Sequence, residues 1–147
     1  MIAFRRAGAG DLNELAPLYT AYRRHFNAQA DAEESLPFLQ QRFERDECVV
    51  FLASADDAAC GFILLYPLWS SWYCKRIWFL SDLYVAPERR SGGAGRLLVE
   101  RVKTFAAESG AKSVMVELPR SEPHLTAFYD GLGFARDPVF ELARWSR

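Results

Sequence analysis

The stretch RRSGGAGRLL, residues 89 to 98, sets three glycines and an alanine between two arginines and an apolar run, directly behind the β-branched and aromatic RIWFLSDLYV. A strand, a glycine-rich turn and a helix in that order confine the chain to folds in which a helix starts at the end of a sheet strand. There, exposed amides and the helix dipole together attract anionic oxygens. Glycine permits close approach to the backbone where a Cβ would stand in the way, and Arg90 and Arg96 add guanidinium forks suited to phosphate. The residues point to a phosphate or pyrophosphate ligand. Two better-known phosphate loops do not fit: a Walker loop needs Lys and then Ser or Thr after its last glycine, which Gly95 lacks, and a GxGxxG fingerprint begun at Gly93 meets Leu98 where its third glycine belongs.

Around this loop the pattern predicts a mixed α/β domain in the order βααβββαβαβ. IAFRRA reads as a first strand, and Asp11 with Glu14 three residues on forms a capping-box signature. Leu12, Leu15, Leu18, Tyr19, Tyr22 and Phe26 then recur at helical spacing, leaving Arg23 and Arg24 off the apolar stripe. DAEESLPFLQQRFERDE predicts a short second helix opened by Asp31, Glu33 and Glu34. CVVFLAS, CGFILLYPLW and KRIWFLSDLYVA predict an antiparallel meander. A helix over Gly95 to Ala107 ends at Gly110, SVMVELP is the next strand, EPHLTAFYDGLGF a helix closed by Gly131 and Gly133, and VFELARW a terminal strand. Strand alternation puts Phe79, Ser81, Leu83 and Val85 on one face and Asp82 on the other, unless a bulge intervenes.

With 147 residues, 50% of them hydrophobic, the chain is expected to form one domain. A net charge of −1 lacks the positive field that nucleic-acid binders use, so no nucleic-acid partner is expected. The longest apolar stretch, ACGFILLYPLW, is too short to span a bilayer and MIAFRRAGAGD lacks the apolar core of a signal peptide, which predicts a cytoplasmic protein without a membrane partner. Cys48, Cys60 and Cys74 are an odd number without CxxC spacing, the pattern of free thiols rather than disulfides, and no metal site is expected. Trp69, Trp72 and Tyr73 suit a contact between protomers, so a homodimer is expected.

DLYVAPERRSGGAGRLL, with Arg90, Gly93 and Gly95 in an Arg/Gln-x-x-Gly-x-Gly/Ala pattern, resembles the acyl-CoA-binding motif of the GNAT N-acetyltransferase superfamily. AFYDGLGF, residues 127 to 134, resembles that family's closing helix, and the likeness spans essentially the whole chain. LYTAYRRHF, ILLYPLWSSW and LSDLYV are further similar to its small polyamine and histone acetyltransferase-like branch. The resemblance implies a mostly antiparallel central sheet with splayed central strands and helices on both faces. It also implies acetyl-CoA as cosubstrate and a small-molecule or protein amine as acceptor.

Carried over residue by residue, the resemblance implies that LSDLYV splays from SVMVELP and that backbone groups of Leu83, Tyr84 and Val85 hold the pantetheine arm. Amides of Arg90, Ser91, Gly92, Gly93, Ala94, Gly95 and Arg96 then take the pyrophosphate. Tyr129 matches the tyrosine that protonates the departing thiolate, with Phe128 beside it on the cofactor side; core packing is the other reading of this aromatic pair. The attacking amine must lose a proton, because an alkylamine with a pKa of about 10.4 is charged at neutral pH. Polyamine-acetylating relatives carry Glu-Asp where this chain has Ser81-Asp82, so the base is Asp82 or, on the adjacent strand, Glu117. Asp82 can equally be a buried carboxylate bonded to the amides of the splayed strands, and Glu122 stands where a helix cap is expected. Asp31, Glu33 and Glu34 are candidates to attract a cationic acceptor. Without the family glutamate, a non-catalytic acyl-CoA-binding sensor or interaction module is the alternative to an enzyme; a mononucleotide-binding domain fits neither the strand order nor the glycine spacing.

Overall fold

Five runs rich in β-branched and aromatic residues form one sheet in a computed structural model that describes residues 1–147. They are β1 (Ile2–Arg6), β2 (Val49–Ala55), β3 (Ala58–Ser70), β4 (Lys75–Val85) and β5 (Ser113–Val116), lying side by side in that order. The first three neighbouring pairs are antiparallel, and β4 and β5 run parallel. Parallel neighbours need a crossover, and α3 (Ala94–Glu108) supplies it.

Alternation along β2 and β3 sends successive side chains to opposite faces, and each face is covered by helix. On one side, α1 (Leu12–Phe26) and α2 (Ser35–Glu44) bring Leu15 and Leu39 against Val50, Leu52, Phe62 and Leu64. On the other, Phe105 of α3 packs edge-on to Phe51 at 5.5 Å and lies 5.0 Å from Trp78. The mixed, mostly antiparallel sheet with helices on both faces is the architecture expected from the sequence. No helix is long and apolar enough to cross a membrane.

The helix starts differ from expectation. Asp11 does occupy the position before α1, but its side chain makes no cap bond there; it accepts from the Gly8 amide at 2.8 Å and pairs with Arg5 at 2.6 Å. Glu14 also turns to Arg5, at 3.5 Å, so the arginine of β1 competes successfully for both carboxylates. Arg23 is not a free surface charge: it bonds the Asp31 carbonyl, the Ser35 hydroxyl and Glu34, tying α1 to the start of α2.

By contact, the chain divides into Met1–Glu117, which holds the sheet, and Leu118–Arg147. The second unit contains α4 (Pro123–Asp130), opened by proline in its first turn and closed where the Phe134 amide returns to the Tyr129 carbonyl at 3.1 Å. Glu122 precedes α4 but makes no side-chain cap. The terminal strand expected over VFELARW does not form: residues 134 to 147 lie outside any helix or strand. Asp137 accepts the Val139 and Phe140 amides, each at 2.8 Å, so the run begins with a local turn rather than a ladder. Strand periodicity alone cannot make a strand, which takes its backbone bonds from a neighbour.

Gly61 pairs with Val85 across β3 and β4, and a Cβ there would stand 2.8 Å from the Tyr84 carbonyl oxygen and 3.2 Å from Val85 Cγ2. Gly61→Ala is expected to destabilise the protein by about 1–3 kcal/mol. Gly8→Ala, where a Cβ meets nothing within 4 Å, is the control in a denaturant titration and should fall within about 0.5 kcal/mol of wild type.

Candidate active site

The pairing of β3 with β4 contains one irregularity, and the site is built on it. Leu64 faces Asp82 and the next residue, Leu65, faces Leu80, so Ser81 is an extra residue with no partner. A bulge of this kind bends the strand and shifts its side-chain phase. Trp78 and Leu80 before it, and Leu83 and Val85 after it, therefore share the α3 side, whereas Asp82 and Tyr84 join Phe62 and Leu64 on the side of α1. Simple alternation grouped Phe79 and Ser81 with Leu83 and Val85; the bulge separates Phe79 from Leu83 and places it with Asp82.

Asp82 is consequently buried, 8% exposed, on a face lined by hydroxyls. The Tyr22 hydroxyl donates to the Ser81 carbonyl at 3.3 Å, and Tyr22 and Ser81 also give side-chain hydrogen bonds to the carboxylate. Burial pushes the Asp82 pKa up to about 6 against the lowering effect of those two bonds. Burial, and then the Asp82 charge, also raise the phenols of Tyr19 and Tyr66. Glu117 is exposed. Only Asp82, of the two carboxylates, has the desolvated setting of a base tuned toward neutral pH.

Beside Asp82 the sheet opens. Pairing of β4 with β5 ends at Leu80 and Val116, while β4 continues to Val85. Leu83, Tyr84 and Val85 thus have a strand partner only on the β3 side, which is the splay expected from the sequence. The Val85 carbonyl accepts Arg90 Nε at 2.9 Å, and the Arg90 guanidinium lies 5.4 Å from the centre of the Tyr84 ring. Arg90 therefore fastens the loop to the strand end.

From there the chain makes a 3-10 turn over Pro87–Gly92 and enters α3 through Gly93, at φ 81° and ψ 7°. A Cβ on Gly93 would meet nothing within 4 Å, so glycine is needed for its left-handed backbone, and the space in front of it is open. The first bond inside α3 is Leu97 N–H to the Gly93 carbonyl at 3.1 Å, and no side chain caps the helix. Amides of Ala94, Gly95 and Arg96 are left to external acceptors. Ser91, Gly92, Gly93 and Arg96 are exposed, Gly95 is half-buried and Ala94 is packed. Amides that face solvent from a helix start, with a guanidinium among them, fit a diphosphate.

Tyr129 and Phe128 belong to Leu118–Arg147. Tyr129 is 4% exposed, with ring centroids 5.1 Å from Phe128 and 5.3 Å from Phe134.

Tyr19 and Tyr22 sit on the apolar stripe of α1 and read as core, and the aromatics of AYRRHF, Tyr22 among them, with those of LWSSWY also suit the wall of an acceptor pocket; the bonds of the Tyr22 hydroxyl to Ser81 and Asp82 were not legible in the sequence. Asp31 instead caps its own turn, accepting from the Glu33 amide at 2.9 Å, and Glu34 is paired with Arg23. The acids near the site are Asp46 and Glu47, which with Phe38, Arg42, Tyr66 and Pro67 line a cavity of about 450 Å³. At the β3–β4 hairpin, Trp69, Trp72 and Tyr73 are exposed, and Arg76 lies over Trp69 at 4.0 Å.

An open strand edge, a glycine-led helix start and a buried carboxylate beside the edge are consistent with an acetyl-CoA-dependent acyltransferase, and the relatives of the chain are of that class. The chain belongs to the Acetyltransferase (GNAT) family, whose sequence pattern matches residues 12–134. It is 33% identical over 136 residues to an uncharacterized N-acetyltransferase, YhfO, of Bacillus subtilis (strain 168), covering 92% of this chain and 91% of that one. A crystal structure of a probable acetyltransferase superposes with a TM-score of 0.93 at 33% identity, covering 99% and 97% of the two chains. An aminoglycoside acetyltransferase from an uncultured soil metagenomic sample shares the fold, with a TM-score of 0.81 at 20% identity over 99% of this chain and 97% of that one.

Carrying the Asp82 pKa from its usual 3.8 to about 6 costs about 3 kcal/mol of folded-state stability where the group is ionised. A folded pKa above the unfolded one means the contribution is complete below about pH 4 and is lost as the pH rises through about 6. Asp82→Asn should therefore be as stable as wild type near pH 4 and more stable, by up to about 3 kcal/mol, above pH 7. Denaturant titrations at the two pH values measure this; a variant less stable than wild type at pH 7 overturns it.

Proposed function

We propose that the protein moves the acetyl group of acetyl-CoA to the primary amine of a small molecule, such as a polyamine or amino-acid-like compound, or of a protein, with Asp82 as general base and Tyr129 as general acid. The observation that carries this reading is Asp82 itself: a bulge turns it inward beside the open edge of β4, and burial tunes it to about 6. A carboxylate with that pKa is mostly ionised at neutral pH and is a better proton acceptor than an ordinary aspartate. Tyr22 and Ser81 fix its direction through their hydroxyls.

In this reading acetyl-CoA supplies the activated acyl group, and the protein binds it at two places. Backbone groups of Leu83, Tyr84 and Val85 on the unpaired side of β4 hold the extended arm as an added strand would be held. Amides from Ser91 to Arg96 take the diphosphate, and Arg90, by gripping the Val85 carbonyl, keeps the loop and the strand end in register. As the amine attacks, Asp82 accepts its proton, and the phenol of Tyr129 returns one to the leaving sulfur; Phe128 flanks that tyrosine. The family match from 12 to 134 includes every residue of this reading, which supports it.

The test is release of free thiol from acetyl-CoA with a panel of primary amines. Turnover is expected on at least one amine, with a limb near pH 6 in the kcat/KM profile that vanishes in Asp82→Asn together with a loss of about 10²–10⁴ in rate. Tyr129→Phe should lower kcat with little change in the KM for acetyl-CoA. Gly93→Val, which forces a β-branched residue into left-handed backbone, should weaken acetyl-CoA binding and leave the pH limb in place. Tight CoA binding without turnover on any amine overturns the assignment.

A further inference from the structure

Two helices of the sheet-bearing unit, α2 and α3, end with the same turn built from different residues. After α3 the chain turns at Gly110, φ 72°, whose amide returns to the Ala107 carbonyl at 3.1 Å while the Ala111 amide returns to that of Ala106 at 3.0 Å. After α2 the matching bonds run from the Asp46 amide to Phe43 at 3.2 Å and from the Glu47 amide to Arg42 at 2.9 Å, and the residue in left-handed backbone is Asp46, φ 51°. Glycine is the residue this turn favours, because it has no Cβ to crowd the neighbouring carbonyl. An acid there is unfavourable a second time, since the C-terminal end of a helix repels negative charge. Local stability thus does not explain Asp46, and positions of that kind gather at functional sites.

Its surroundings supply a reason. Asp46 lines the cavity of about 450 Å³ with Phe38, Arg42, Glu47, Tyr66 and Pro67. Tyr66 lies two residues along β3 from Leu64, the partner of Asp82, so the cavity has a wall on the sheet face that carries Asp82. The charges of Asp46 and Asp82 both act on the thiol of Cys48, which places the two carboxylates near one residue. The other charges of the lining are already matched. Arg42 Nε stands 2.7 Å from Glu47 Oε2, its guanidinium lies over the Phe38 ring at 4.7 Å, and Arg45 approaches the second Glu47 oxygen at 4.0 Å. Asp46 is exposed and forms no ion pair. The unmatched charge of the cavity is therefore negative, and beside it stand the rings of Phe38, Tyr66 and Pro67, a setting that suits an ammonium on a hydrocarbon stem.

We propose that Asp46 selects the acceptor: the amine that reacts at Asp82 belongs to a molecule with a second positively charged group, and that group sits against Asp46 in this cavity. The inference rests on the acetyl-transfer reading above and narrows its acceptor to amines that carry a further cation. It accounts for an acid placed where the backbone and the helix end both disfavour one, because the charge that weakens the end of α2 is matched when the acceptor binds.

The test compares straight-chain diamines with monoamines of matching length by release of free thiol from acetyl-CoA. Wild type should favour the diamines by about tenfold in kcat/KM, the effect of one partly exposed ion pair. Asp46→Asn, which keeps the shape and tolerates left-handed backbone, should bring the two series level by raising the KM of the diamines. Asp46→Gly should do the same while raising the denaturation midpoint, because it supplies the residue the turn favours. Asp57→Asn is the control: Asp57 is also an exposed acid in left-handed backbone, φ 60°, but it lies in the turn between β2 and β3 and not in the cavity, so the variant should keep the wild-type preference. Equal action of wild type on both series, a preference that survives Asp46→Asn, a lower midpoint in Asp46→Gly, or turnover confined to other primary amines overturns the proposal and leaves the acetyl-transfer reading standing. Turnover on no amine at all overturns both.

Discussion

One extra residue in one strand orders the site. Without the bulge at Ser81, Asp82 would stand on the α3 side with Trp78 and Leu80, away from Tyr22. With it, the carboxylate meets Tyr22 and Ser81, and the same bend lies next to the point where β4 parts from β5 after Leu80. Bulges re-aim side chains and interrupt ladders; here both effects fall within a few residues. The inward turn of Asp82 and the open edge of β4 thus lie within a few residues of a single irregularity in register.

The glycine loop extends that logic in the other direction along the strand. Arg90 grips the last carbonyl of β4, so the position of the helix start follows the position of the strand end. Gly93 turns the chain through left-handed backbone, and the first amides of α3 have no side-chain cap because glycine, rather than Ser, Thr, Asp or Asn, occupies the cap position. A side-chain cap would have stabilised the helix and occupied those amides; with glycine there they stay free for an external acceptor.

What could be read from the sequence and what could not divides along the range of the interactions. The loop, α3 and the meander were legible because glycine chemistry and side-chain period are local signals. The end of β4–β5 pairing followed from the likeness to a family whose sheet splays. The bulge was legible only as a condition, since nothing in FLSDLY says which residue will lack a partner until β3 is laid beside it. Tyr22 was legible as an aromatic of the core or of a pocket wall, but its bonds to Ser81 and Asp82 depend on β4 lying beside α1. Asp11 and Glu14 do not cap α1 because Arg5 of β1 holds both carboxylates, whereas Asp31, Glu33 and Glu34 do open the second helical segment. The terminal run has the period of a strand, but period determines which faces alternate and leaves the partner undetermined.

Burial of Asp82 has a second consequence for a protein that handles a thioester. Cys48 lies close enough to feel the Asp82 charge, and a thiolate there would be a competing nucleophile toward an acyl donor. Burial raises the Cys48 thiol to about 11, further supported by the negative charges of Asp46, Glu47 and Asp82 against the pull of Arg42. At neutral pH the sulfur is a protonated, buried core atom. The desolvated surroundings that make the aspartate more basic thus make the neighbouring cysteine inert, and one apolar wall, built from α1, α2 and β3, serves both ends. A polar substitution in that wall would be expected to act on the two groups in the same sense, lowering both pKa values together, because desolvation is the largest cause in each.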